Sequence, residues 1–99
     1  MKHFLINITY TVPLPKIDQI LPEHRKFLQD GYNNGLLLLS GPRNPRTGGI
    51  VLARSESLDE ITTFFERDPY KINKYAVYEF AEFDPVKRQP MLDDWILGK

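Results

Sequence analysis

There is no cysteine in the chain, so a disulfide framework, a thiolate nucleophile and a thiolate-held zinc are all excluded. Only two histidines remain as soft metal ligands, and the first of them, His3, has no carboxylate at metal-site spacing, so neither metal nor cofactor is expected. Charge of one sign is also missing. Thirteen basic residues balance thirteen acidic ones, and nothing in the bulk electrostatics favours nucleic acid or an anionic membrane as a partner. No apolar run approaches the roughly 18 residues that a bilayer span requires, and the N-terminus alternates instead of showing the basic, apolar and small-residue order of a signal peptide. These absences lead to the expectation of a soluble, unprocessed, cytoplasmic protein. Its 99 residues make one domain, 1–99, able to bury roughly two-thirds of the unfolded surface around one core.

Within that limit the periodicities are readable. From Lys2 to Tyr10 the residues Phe4, Ile6, Ile8 and Tyr10 share one face and His3, Leu5, Asn7 and Thr9 the other, which is the period of a strand. Pro13 and Pro15 end it. A helical stretch follows from about Lys16 to Asn33, with Ile17, Ile20, Leu21, Phe27, Leu28 and Gly31 along one stripe and Asn34-Gly35 as a left-handed stop. Pro22 interrupts this stretch, so either the helix kinks there or a short turn precedes a main helix that begins at Pro22. Leu36 to Leu39 form an apolar run without alternation, ahead of Ser40-Gly41, as in a strand covered on both faces. Helices would cover one face, and a second copy of the same sheet would cover the other, which makes a homodimer the expected assembly. A third strand spans Gly49 to Arg54 after a Pro- and Gly-rich link.

Ser57-Leu58-Asp59-Glu60 reads as a capping box that opens a second helix, with Leu58, Ile61, Phe64 and Phe65 as its buried stripe. Carried on, the same count ends at Asp68, where a carboxylate would oppose the helix macrodipole, and Pro69 forbids further helix. A last strand runs from Tyr75 to Phe83. The tail 84–99 carries Pro90, Met91, Leu92, Trp95 and Ile96 in the pattern of a short docking helix. Strand, helix, strand, strand, helix, strand is the order of an α+β, ferredoxin-like βαββαβ fold: an antiparallel four-stranded sheet with two helices on one face. Right-handed crossovers then bring Thr11, His24, Ser40-Gly41-Pro42, Gly48-Gly49 and Asp68 to one rim of the sheet. A helix starting near Lys16 would hold His24 about 12 Å along its axis.

His24 is the residue that departs from a plain core stripe, because a buried imidazole needs a hydrogen-bond partner. Together with its setting Pro22-Glu23-His24-Arg25-Lys26-Phe27-Leu28, the segments Gly35-Leu36-Leu37-Leu38-Leu39-Ser40-Gly41-Pro42, Gly48-Gly49, Ser55-Glu56-Ser57-Leu58-Asp59-Glu60 and Asp68-Pro69-Tyr70 resemble the YCII-related (YciI-like) proteins of the dimeric α+β barrel group. The resemblance runs from Lys2 to about Lys87. It implies a homodimer of ferredoxin-like subunits and a His–Asp pair as active site, carried here by His24 and Asp68. It implies little about substrate, since one known activity in the family is a dehydrochlorinase acting on a chlorinated ring. Many members follow Asp-Pro-Phe with Ala-Gly where this chain has Asn73-Lys74, and the segment after Gln89 has no counterpart.

A carboxylate on one ring nitrogen fixes the tautomer and raises the basicity of the other, which suits proton transfer near neutral pH. Ser40 and nearby glycine N–H groups could bind an oxygen on which charge develops. The candidate substrate-binding residues are Ser40, Gly41, Pro42, Arg43, Gly49 and Tyr70. Arg43, Asn44, Arg46 and Thr47 could clamp an anion or form a solvated loop, and Gly48-Gly49 suits a bulge or tight turn. Tyr10, Tyr75, Tyr78, Phe80 and Phe83 read as packing residues. Three functions fit: a cofactor-independent enzyme that moves a proton in an elimination or isomerisation on a small organic molecule, a non-catalytic homodimer that binds a small ligand or a protein with the dyad structural, and a cofactor-independent oxygenase, which only the fold group suggests.

Overall fold

The computed structural model describes residues 1–99. β1 (Lys2–Tyr10) buries Phe4, Ile6 and Ile8 almost completely, as its period requires. α1 (Leu14–Asn33) follows, then β2 (Leu37–Pro42), β3 (Gly48–Ser55), α2 (Leu58–Phe65), a one-turn helix α3 (Pro69–Ile72) and β4 (Ala76–Phe83). The tail adds a 3₁₀ turn at Pro90–Leu92 and a last turn of helix, α4 (Asp93–Ile96). The strands lie in the order β2-β3-β1-β4, and every neighbouring pair is antiparallel. This is the ferredoxin-like topology. Side chains from α1 (Ile17, Phe27, Leu28) and α2 (Ile61, Phe64, Phe65) join those of the central strands in a single core.

Pro22 does not begin α1: the helix runs unbroken through it from Leu14. The backbone bond lost at Pro22 frees the carbonyl of Asp18, and both residues face solvent, where water can take the partner's place. The far end closes as foreseen. Gly35 adopts φ +74°, the Leu36 N–H donates to the Gly31 carbonyl and the Gly35 N–H to that of Tyr32, the paired bonds of a glycine-terminated helix. Gly31 itself is a packing residue, since a Cβ there would lie 2.7 Å from the Leu37 side chain and 2.8 Å from Phe64. Its absence lets α1 settle on β2 and α2 together.

Four local expectations are corrected. The leucine run lacks alternation because β2 is bulged: Leu37 faces Ala53 and Leu39 faces Leu52, leaving Leu38 without an opposite residue. Leu37 is buried and Leu39 half-exposed, so within one chain a single face of the strand is covered and the face expected to meet a second copy is open. Gly48 serves close approach, not a bulge, because a Cβ there would collide with the Ile8 carbonyl and the Arg43 guanidinium. At the start of α2 the Ser57 hydroxyl accepts from the Glu60 N–H, but the Glu60 carboxylate reaches back to the Glu56 N–H, and Leu58 stays exposed. Asp68 does not oppose the dipole of α2, which ends at Phe65. It caps α3, accepting from the Tyr70 N–H, with Pro69 in the first turn where proline costs no bond. After α3, Lys74 sits at φ 60°, a conformation that glycine adopts without the Cβ penalty.

The tail lies across the sheet face opposite the helices. Arg54 holds it, donating to the carbonyls of Gly35, Trp95 and Lys99 while its guanidinium stacks 3.9 Å from the centre of the Trp95 ring. His3 Nε2 lies 3.1 Å from the Ile96 carbonyl and donates to it. No helix is long and apolar enough to cross a membrane. Because Trp95 is the only tryptophan, its fluorescence reports the docking of the tail. Arg54→Ala should red-shift the emission and lower its anisotropy while the cooperative unfolding of the rest survives; an unchanged spectrum would mean that Arg54 does not hold the tail.

Candidate active site

The site is built where α1 and the α2–α3 junction meet above the sheet. Because α1 begins at Leu14, His24 lies ten residues in, about 15 Å along the axis. Its position on the apolar stripe leaves it 8% exposed, and Asp68 is wholly buried. The two meet at 2.8 Å between His24 Nδ1 and Asp68 Oδ1. Asp68 accepts two further bonds, from the Tyr70 N–H to Oδ1 at 3.1 Å and from the Tyr78 hydroxyl to Oδ2 at 2.6 Å. A carboxylate only accepts, so Nδ1 carries a proton and donates it to Asp68. Nε2 makes no hydrogen bond within the protein and is not sealed from solvent.

The ring is also held from the side. Tyr70 stacks on it with centroids 3.9 Å apart and planes within 12°, and Tyr10 meets Tyr70 edge-on at 5.8 Å. Hydrogen bond and stack together fix both the tilt and the tautomer of the imidazole. Burial pushes the Tyr78 phenol well above its ordinary range, and the charge of Asp68 and its hydrogen bond add to the effect. Burial likewise raises Tyr70, with Tyr10 and Asp68 contributing and Arg46 working against them. The Tyr70 hydroxyl is the one buried side-chain polar atom without a hydrogen-bond partner.

His24 opens into a cavity of about 430 Å³. Ile8, Leu21, Leu28 and Val51 give it apolar walls, while Arg25 and Arg46 stand among its lining residues and no carboxylate does. Of the residues singled out from the sequence, His24, Ser40, Gly41, Pro42, Gly49 and Tyr70 line it together. Asp68 lies behind the imidazole. Ser40 is already engaged, its hydroxyl 2.6 Å from that of Tyr32. Arg43 is not brought to the cavity: its guanidinium crosses the opposite face of the sheet and donates to Asn7 Oδ1, Thr9 Oγ1 and the Thr47 carbonyl. Thr11 also turns away, bonding the Lys74 carbonyl. No group of three or more His, Asp or Glu side chains is placed to hold a metal ion.

Sequence reasoning missed the role of Tyr78 and underweighted Arg46. The signal for Tyr78 was present in the register, because β4 sets it opposite Ile8 on the helix-covered face, where a phenol must find an acceptor.

A family model described as the YCII-related domain matches residues 1–84. The chain therefore belongs to the YCII-related family. Nine chains among the solved structures match. One is 5-chloro-2-hydroxyhydroquinone dehydrochlorinase from Burkholderia phenoliruptrix AC1100, in complex with 2,5-dihydroxybenzoquinone, at 20% identity and a TM-score of 0.64, covering 78% of this chain and 90% of that one. At this identity the likeness is one of fold. No curated protein matches the chain.

The bond from Tyr78 to Asp68 carries a pH signature. A tyrosine whose pKa is raised by folding adds stability that is complete below the ordinary phenol value of about 10 and is lost as pH climbs toward the folded-state value. Tyr78 and Tyr70 should therefore ionise after the ordinary phenol range in an absorbance titration of the five tyrosines. Tyr78→Phe should remove one late phenol, shrink the alkaline loss of stability and, at neutral pH, cost about 1.5–3 kcal/mol for the lost charged hydrogen bond. An identical alkaline titration in the variant would refute the assignment.

Proposed function

We propose that this YCII-related protein is a small-molecule enzyme without a cofactor requirement, in which His24 Nε2 moves a proton in an elimination or isomerisation and Asp68 orients the ring. The observation that carries the reading is the asymmetry of the imidazole. Nδ1 is committed to a buried carboxylate while Nε2 remains unbonded beside a cavity of about 430 Å³, a volume within the range of small-ligand sites. The substrate is a small organic molecule, cyclic or carboxylated. Dehydrochlorination of a hydroxylated ring, the activity named for the structural neighbour, is of this reaction type.

The second reading, a binding module with a structural dyad, has its own support: the bonds of Asp68 tie α1, α3 and β4 together. Removing one partner of a buried pair costs about 3–5 kcal/mol, so His24→Ala alone could simply unfold the protein. His24→Asn keeps an N–H donor toward Asp68 and removes the base. With a panel of chlorinated hydroquinones and small cyclic keto acids in D₂O, wild type should exchange acidic C–H positions or release chloride, and His24→Asn should do so roughly 10²–10⁴-fold more slowly. Turnover indifferent to that change would overturn the dyad mechanism, and binding without any exchange would favour the module.

A homodimer is part of the same proposal. The sheet face away from the helices exposes Leu39 and Val77 by 53% each and Phe83 by 43%, with Ile50 beside them, an apolar surface suited to a second copy. Light scattering should give twice the chain mass, and Leu39→Glu combined with Val77→Glu should halve it. A wild-type monomer would dismiss the dimer.

A further inference from the structure

The cavity is electrostatically one-sided. Arg25 lines it without an ion pair or hydrogen bond of its own, and Arg46 uses only Nη2, which donates to Asp18 Oδ1 at 2.6 Å. A guanidinium has five N–H donors, so most of those on Arg46 remain available. No carboxylate lines the space, and Asp68 behind the imidazole has no exposed surface and accepts three bonds. One donor is left over: the hydroxyl of Tyr70, a residue 1% exposed, has no partner although the residue lines the cavity. It lies within electrostatic reach of Tyr10, Asp68 and, more weakly, Arg46. Buried hydroxyls in folded proteins are almost always bonded, so an orphan on a residue that lines a space with two arginines and no carboxylate marks the place of a missing acceptor.

We propose that the cavity takes a small planar monoanion, whose anionic oxygen is held by the Tyr70 hydroxyl, Arg25 and Arg46 while its flat apolar body lies against Leu21, Leu28 and Val51. This rests on the preceding assignment of the cavity as a substrate site and narrows its ligand to a carboxylate, phenolate or enolate. The shared chemistry is an sp² oxygen carrying charge, which guanidinium and phenol donors recognise strongly. Cations at the oxygen also favour removal of a proton from carbon, because they stabilise the enolate or phenolate that forms.

Benzoate and 4-nitrophenolate are the anionic probes and benzamide the neutral probe of matching shape. Calorimetry and amide chemical shifts should place both anions at His24, Ser40 and Tyr70, with benzamide at least about tenfold weaker. Arg46→Gln and Tyr70→Phe should each weaken benzoate roughly tenfold and leave benzamide unchanged. Tyr70→Phe deletes only an unpaired hydroxyl and Arg46 is a surface residue, so both variants should fold. Benzamide binding as tightly as benzoate, or benzoate indifferent to both substitutions, would overturn the proposal. Benzoate binding but no phenolate binding would confine the ligand to carboxylates and uphold the site. The wild type separates the two ideas: benzoate bound by a wild-type protein that never exchanges protons sustains the anion site and sinks catalysis, whereas wild-type proton exchange on neutral ketones without anion binding does the reverse.

Discussion

A carboxylate with no contact with solvent must be satisfied entirely by the protein, and the placement of Asp68 is the constraint from which the rest of the site follows. It receives an N–H from α3, a hydroxyl from β4 and an imidazole from α1. Each donor comes from a different element, so the carboxylate is filled only when α1, the α2–α3 junction and the sheet are all in their native places. Desolvating a charge is costly and a half-satisfied site would be worse than an apolar one. The pair therefore links folding to the presentation of His24: the ring is oriented because the fold closes.

Why the cavity lies beside this ring is a matter of backbone geometry. β1 and β2 end, and β3 begins, at the same rim, so Ile8, Ser40-Gly41-Pro42 and Gly49 are neighbours there despite their distance in sequence. The long first helix lowers His24 to the level of these strands. Gly31 lets that helix approach β2 closely at its other end, and the Tyr32–Ser40 bond ties the two together beside the cavity. α3 matters beyond its single turn, because its first residues supply both the amide that caps onto Asp68 and the ring that stacks on His24.

Much of this could be read from residue spacing, and the exceptions are instructive. β1, the glycine end of α1 and the docking residues of the tail follow from local periodicity and turn chemistry, which need no tertiary information. His24 and Asp68 each stood out as locally misplaced, a polar group on an apolar stripe and an acid after a helix, and the family resemblance supplied their pairing. Asp68 was nevertheless explained wrongly, since the count of α2 ran past Phe65 and a new helix began at Pro69. Arg43 was misassigned because a hairpin residue can lie on either face of a sheet, and the choice depended on acceptors at Asn7 and Thr9 in a strand over thirty residues away. Tyr78 had the right alternation for packing, but its hydroxyl gained meaning only once Asp68 was placed within reach. The bulge at Leu38 is a register effect between β2 and β3, and no periodicity of either strand alone contains it.

The two halves of the site complement each other electrostatically. A carboxylate directly in contact with substrate would repel the anion that forms when a carbon acid loses its proton. Here the negative charge is set behind the imidazole, where it holds the Nδ1 proton, and the arginines line the space in front. The imidazole separates the two regions. It passes the influence of Asp68 to Nε2 through its own bonds, while the stacked Tyr70 ring keeps its plane fixed and leaves a hydroxyl without a partner. A purely structural pair would be served equally well by an imidazole with both nitrogens bonded inside the core. The unbonded Nε2 and the orphan phenol belong to residues that border one space, and in the proposed function a single oxygen-bearing ligand with an acidic C–H answers both.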